Sequence, residues 1–165
     1  MHEKSIELLN RGVADEMWAV HQYMYFHFHC DDLGYDLLAG IFKRTAIQEM
    51  VHVEELSERI LFLGGDVEMT ASHEVSKIRD VRGMLEKAME MERQAARDYN
   101  QWANECSANA DAASRKIFED MVTDEEGHAD QFQTQLDHLD RFGEQYLALQ
   151  SVERTRKLAG LAEGD

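Results

Sequence analysis

Five stretches of the chain carry apolar residues at helical spacing, separated by glycines or short polar clusters. In the first, from about Lys4 to Asp31, Ile6, Leu9, Val13, Met17, Val20, Met24 and Phe28 recur every three or four positions, which predicts one continuous apolar stripe along an α-helix. Asp31-Asp32-Leu33-Gly34 ends it, with Gly34 suited to a left-handed cap. A second helix runs from about Tyr35 to Leu63 and stops at Gly64-Gly65, and residues 66–79 form a longer polar connection. A third runs from about Val81 to Ser107. A fourth, from about Asp111 to Arg141, is entered through the capping signals Asn109-Ala110-Asp111 and ended by Gly143. A short fifth helix, about 144–153, follows, and residues 158–165 read as a frayed tail.

Two short links and one long one set the order hairpin, crossover, hairpin. The expected fold is all-α: an antiparallel four-helix bundle whose second and third helices are joined by a long crossover, with a short C-terminal fifth helix. The expected organisation is one domain over 1–165, with the bundle at about 4–141.

Composition sharpens this picture. The 165 residues are 44% hydrophobic and include no proline, which suits long uninterrupted helices around a sizeable core. The net charge of −16 repels nucleic acid and anionic membranes and attracts cations. The opening Met-His-Glu-Lys-Ser predicts no secretory leader, and no apolar run is long enough to span a bilayer. The two cysteines, Cys30 and Cys106, fall at opposite ends of the expected bundle, too far apart for a disulfide, which fits a reduced, cytoplasmic setting.

The candidate chemistry is a pattern written twice. Glu16 is followed by Glu49-Met50-Val51-His52, and Glu92 by Glu125-Glu126-Gly127-His128. The internal gap is the same in both copies (49 − 16 = 33; 125 − 92 = 33), and so is the offset between them (92 − 16 = 76; 128 − 52 = 76). The same offset pairs Tyr23 with Tyr99, Cys30 with Cys106, Ile41 with Ile117, Phe42 with Phe118 and Leu63 with Leu139, so the two hairpins read as related halves about a pseudo-twofold axis.

A single Glu-x-x-His on an amphipathic helix is usually a solvated face. Two of them, each with a glutamate the same distance upstream inside an apolar stripe, place four carboxylates in a core where they need a counter-charge. Two iron ions supply it: Glu16 with His52 for one, Glu92 with His128 for the other, and Glu49 and Glu125 bridging. Carboxylate and imidazole suit iron or manganese, and zinc competes for such a set. The expected reaction is oxidation of two bound Fe(II) ions by O2 or H2O2, with Fe(III) passing to a mineral store.

Around these six, Tyr23 and Tyr99 stand two turns after a lone glutamate. They read either as hydrogen-bond or electron donors to the site or as ordinary core tyrosines. Gln48 and Asp124 each precede a bridging glutamate and are placed to orient the imidazoles; the mismatch between them predicts inequivalent irons.

With these motifs in place the chain resembles the bacterioferritins from Ile6 to about Gln150. The resemblance is carried by Gln48-Glu49-Met50-Val51-His52, Glu58-Arg59-Ile60-Leu61-Phe62-Leu63-Gly64, Asp124-Glu125-Glu126-Gly127-His128 and Gly143-Glu144-Gln145-Tyr146-Leu147-Ala148-Leu149-Gln150. It implies a ferritin-like fold and a cytoplasmic homo-oligomer, a hollow 24-subunit shell built of dimers that stores ferric mineral. It also implies a ferredoxin-type reductant for iron release.

It further implies haem b between two subunits, each giving one methionine. The matching residue is Met50, whose counterpart one repeat later is Glu126; Met50 equally reads as an interface filler. Two departures from the family pattern stand out. The inner-surface iron site of relatives uses a His and an Asp where this chain has Arg44 and Gln48, and an aromatic residue common after the last ligand is Gln131 here.

Two rivals frame the functional expectation. A rubrerythrin-like or miniferritin-like di-iron peroxidase would detoxify peroxide without large-scale storage, although no Cys-x-x-Cys of a rubredoxin domain is present. A DNA-coating bundle would need a basic tail, for which Arg154-Thr155-Arg156-Lys157 is the candidate.

Overall fold

The computed structural model describes residues 2–160. Its elements are α1 (Glu3–Asp32), α2 (Asp36–Phe62), α3 (Val81–Ala108), α4 (Ala112–Phe142) and α5 (Glu144–Leu158), with no strand among the described residues. Each bundle helix reaches about 40–47 Å at 1.5 Å per residue. The tight packing pairs are α1 with α2 and α3 with α4, the two hairpins. No described helix is long and apolar enough to cross a membrane.

The ends of the helices follow local chemistry. Gly34 takes φ +77, with Gly34 N–H donating to Asp31 O and Tyr35 N–H to Cys30 O, which closes α1 in a left-handed cap. Its counterpart one repeat later (34 + 76 = 110) is Ala110, which is left-handed too (φ 58) and makes the same two bonds, to Ser107 O and Cys106 O. The repeat therefore imposes on an alanine a conformation that favours glycine. Asp111 then caps α4, its carboxylate accepting from Ser114 N–H at 3.1 Å and from Arg59 Nη2 of α2 at 2.7 Å.

The crossover between α2 and α3 lies along α1, held by two buried amides. Asn10 donates to Asp66 O and accepts from Glu68 N–H, and Gln22 donates to Ser76 O and accepts from Ser76 N–H. Each amide satisfies a donor and an acceptor of a chain that has no ladder of its own.

The core forms two clusters. One gathers Tyr23, Phe26, Leu38, Phe42, Met84, Leu85, Phe132 and Leu136. The other gathers Leu8, Leu9, Leu56, Ile60, Tyr99, Trp102 and Phe118. They are images under the repeat: Leu8 and Met84, Leu9 and Leu85, Phe26 and Trp102, Phe42 and Phe118, Leu56 and Phe132, Ile60 and Leu136 are all 76 apart. Cys30 and Cys106 fall in different clusters as free, buried thiols. Burial pushes the Cys30 thiol up to about 12, so it packs as a small apolar group.

Two expectations are corrected. The stripe drawn on α1 coincides with the buried face only at Leu9 and Val13. The residues facing the core are Leu9, Val13, Glu16, Tyr23, Phe26 and Cys30, while Met17, Val20 and Met24 are half-buried and Phe28 is 61% exposed. The helix is apolar over a wide arc, and periodicity alone does not say which part of that arc the bundle covers.

The fifth helix reaches Leu158 rather than about 153. No helix breaker lies before Gly160. Arg154 anchors the extension, donating to Asp31 O and pairing with Asp36 Oδ1 at 3.5 Å, while Gln150 Oε1 accepts from Leu38 N–H at 3.2 Å. Of the expected frayed tail only Leu158 is helical, and residues 161–165 lie outside the described residues. A cation of the candidate basic tail is spent on the α1–α2 turn.

Candidate metal centre

Glu16 sits midway along α1, Glu49 and His52 on α2, Glu92 on α3, and Glu125 and His128 on α4. All six lie between the two apolar clusters and are buried, with at most 6% exposure. Glutamate and histidine three apart share one helical face, so each hairpin turns its ligands inward by helix geometry alone.

Two overlapping sets result: Glu16, Glu49, His52 and Glu125, and Glu49, Glu92, Glu125 and His128. Within each set the donor atoms lie within 4.8 Å of one another. Glu49 and Glu125 belong to both. His52 Nδ1 stands 2.9 Å from Glu49, 3.2 Å from Glu125 and 3.7 Å from Glu16. His128 Nδ1 stands 3.0 Å from Glu49, 3.0 Å from Glu125 and 3.8 Å from Glu92.

Both oxygens of Glu49, one of Glu125 and Nδ1 of His52 are buried without a hydrogen-bond partner among the described residues, despite these short distances. Their lone pairs converge on shared points instead of on N–H groups. That is the arrangement a pair of divalent cations satisfies, and orphaned polar atoms at such depth are otherwise costly. An all-oxygen-and-imidazole donor set fits iron.

The electrostatics agree. Burial, then the Glu92 and Glu16 carboxylates, push Glu49 up to about 8. Burial, then Glu16, Glu49 and Glu92, push Glu125 well above its ordinary value. For His52 burial opposes the charged ring, but Glu125, Glu16 and Glu49 outweigh it and raise its pKa. His128 is raised in the same way by Glu125, Glu49 and Glu92. Glu92 is lowered: burial works against its charge, and His128, Glu125 and Tyr23 prevail. Without metal the centre therefore holds its charge down by retaining protons.

Both tyrosines reach the centre, but crosswise. Tyr23 donates to Glu92 and Tyr99 to Glu16, so each bonds the lone glutamate of the other half. The pseudo-twofold brings α1 against α3, a relation that spacing along one helix does not contain. Burial first, and then those carboxylates, push both phenols well up, which keeps them protonated donors.

The residues before the bridging glutamates also cross over. Asp124 of α4 lies 3.2 Å from Nε2 of His52 on α2 and makes no hydrogen bond to His128, the histidine of its own motif. Gln48, its counterpart, is exposed and makes no side-chain hydrogen bond among the described residues. Met50 is 47% exposed on the outer side of α2, beside exposed Ile47 and Val51. Arg44 is exposed and Gln131 half-buried.

A cavity of about 100 Å³ between α1 and α3 extends from Glu16, Glu92, Tyr23 and Tyr99 to Asp15, His73, Gln94 and Asp98. Sequence reasoning passed over these four. Asp15, beside a ligand, carried a signal that could have been used. His73, whose ring lies 4.5 Å from that of Trp18 at a tilt of 41°, comes from the crossover and carried none.

Comparison with known proteins follows this geometry. Residues 6–142 match the family described as Ferritin, a ferritin-like domain. The bacterioferritin of Desulfovibrio desulfuricans is 33% identical over 145 residues, 88% of this chain and 81% of that one. The bacterioferritin of Rhodobacter capsulatus is 35% identical over 147 residues, 88% of this chain and 91% of its own length. A crystal structure of the Desulfovibrio protein, described for its diiron site in different catalytic states, superposes with a TM-score of 0.88 at 32% identity. It covers 90% of this chain and 86% of that one.

Proposed function

The chain belongs to the ferritin-like domain family as a bacterioferritin, and from that premise we propose that it is an iron-storing ferroxidase. The observation that carries this is the convergence of Glu16, Glu49, His52, Glu92, Glu125 and His128 into two ligand sets sharing two carboxylates. Two ions held by shared carboxylates can each give one electron to the same oxidant. Two Fe(II) then reduce O2 to H2O2 with two protons, or H2O2 to water.

The residues supply the rest. Glu16 with His52 and Glu92 with His128 each fix one ferrous substrate ion, and Glu49 and Glu125 hold the pair together. Tyr99 and Tyr23 keep Glu16 and Glu92 in place through buried phenol–carboxylate bonds. The two apolar clusters close off both ends of the bundle from water. The cavity between α1 and α3 reaches Glu16 and Glu92, and its acidic rim of Asp15 and Asp98 favours cations.

The product is stored as ferric mineral in the cytoplasm, in a 24-subunit shell of dimers, and a ferredoxin-type reductant serves its release. The exposed apolar strip Ile47, Met50 and Val51 supports a subunit interface on α2. There Met50 Sδ is the group that would hold haem b, one methionine from each chain.

Size-exclusion mass measured together with iron content after Fe(II) loading in air tests the function. A shell near 24 subunits holding far more than two irons per chain is expected. A dimer that stops at two irons per chain would refute storage and favour the peroxidase alternative. A Soret band in the purified protein tests Met50, and its absence after haem supplementation removes that assignment.

A further inference from the structure

The two metal positions are near images of each other, so the few departures from the image decide how they differ. His52 Nε2 has a carboxylate partner, Asp124 Oδ2, at 3.2 Å. The image of that contact would join His128 Nε2 to residue 48 (124 − 76 = 48), which is a glutamine. Gln48 is exposed, and no protein group hydrogen-bonds His128 Nε2 among the described residues. A second departure points the same way: Asp15 precedes Glu16, while its image before Glu92 is Met91 (91 − 15 = 76). The Glu16–His52 side thus carries two carboxylates that the Glu92–His128 side lacks.

Asp124 acts on the ring in two ways. Accepting the Nε2 proton fixes the tautomer that leaves the lone pair on Nδ1, the nitrogen that faces Glu16, Glu49 and Glu125. It also makes that nitrogen more basic, and removing such partners costs about 10–100-fold in metal affinity. Asp124 is 59% exposed, so solvent screening places the effect at the lower end of that range. His128 has no such partner to orient it.

We propose that Asp124 is a positioning residue that makes the Glu16–His52 position the tighter one, by about tenfold, so that it fills first and empties last. The Glu92–His128 position is the exchanging one. This order presupposes the two-metal function proposed above, and the two can fail separately.

The test uses Co(II), which is redox-stable in air, added to the assembled, metal-stripped protein. Total stoichiometry comes from the visible absorption titration. Site occupancy at one ion per chain comes from anomalous scattering of crystals grown under that condition. The expected result is two Co(II) per chain at saturation and, at one per chain, clear excess occupancy beside His52.

Asp124→Asn should bring the two occupancies toward equality. Gln48→Asp, which restores the image, should do so from the other side by strengthening the His128 position. Both changes lie on exposed helical positions, where folding is not at stake. Saturation below two ions per chain would refute the two-metal function itself. Two ions per chain with equal occupancy in the unaltered protein, or an excess at His52 that survives both substitutions, would overturn the role of Asp124 while leaving that function standing.

Discussion

Loading the metal-stripped protein with a divalent ion should release about four protons per pair of ions at neutral pH. Glu49, held at about 8, is about 90% protonated at pH about 7, and Glu125 is raised in the same direction. His52 and His128 are raised by the carboxylates around them, so each carries a proton on the nitrogen a metal needs. Bridging requires both carboxylates ionised and both imidazoles neutral, so all four protons must leave. Two divalent ions bring four positive charges, and the exchange is electrically even.

Near pH 9 Glu49 is mostly ionised before metal arrives, and the count should fall to about three. Below neutrality, apparent affinity should drop about 100-fold per ion for each pH unit, two protons being displaced per ion. The sign for stability follows from the same group. The folded pKa of Glu49 lies above its unfolded value, so its contribution is full below about 4.5 and is lost as pH rises through about 8. That interval corresponds to about 5 kcal/mol in the metal-free protein. Zn(II) or Co(II) titrated in weak buffer with an indicator dye gives the proton count, and thermal melts of stripped protein across this pH range give the stability. Release of one proton or none per pair at pH about 7, or stripped protein that gains stability from pH about 5 to 8, would refute this charge distribution.

Other outcomes follow from single contacts. Tyr23→Phe and Tyr99→Phe each remove a buried phenol–carboxylate bond, and each should lower metal-free stability by about 1.5–3 kcal/mol, equally within error, in denaturant titrations. A large difference between them would contradict the pseudo-twofold. Ala110→Gly should stabilise by about 1 kcal/mol because it relieves a left-handed alanine, read as a rise in melting temperature of roughly 2–4 °C; unchanged or lower stability counts against the cap. Asp111→Ala loses the α4 cap and the partner of Arg59 together, and should cost about 2–4 kcal/mol by chemical denaturation. Burial works against the Asp111 charge, but Ser114, Ser5 and Arg59 hold its pKa down at about 2. Its contribution is therefore present above about 3.8 and is lost as pH falls through about 2, so the substitution should matter least in strong acid.

The sequence by itself determined the helices, their order and the six carboxylate and imidazole residues that converge between them, because all three rest on periodicity. Helical spacing turns each Glu-x-x-His toward one side, and the 76-residue offset says that whatever one hairpin does the other repeats. That offset also held the reason for the left-handed Ala110, since its partner is Gly34. Only the tertiary structure decided what crosses between halves. Tyr23 serves Glu92, Tyr99 serves Glu16, and Asp124 serves His52, because the pseudo-twofold axis sets elements of opposite halves face to face. Spacing within a helix has no term for that. The same limit explains α1, whose wide apolar arc is split between core and outer surface by neighbours the helix cannot name. It also explains His73, which reaches the cavity because the buried amides of Asn10 and Gln22, and the Ser72 N–H donating to Ala14 O, tie the crossover to α1.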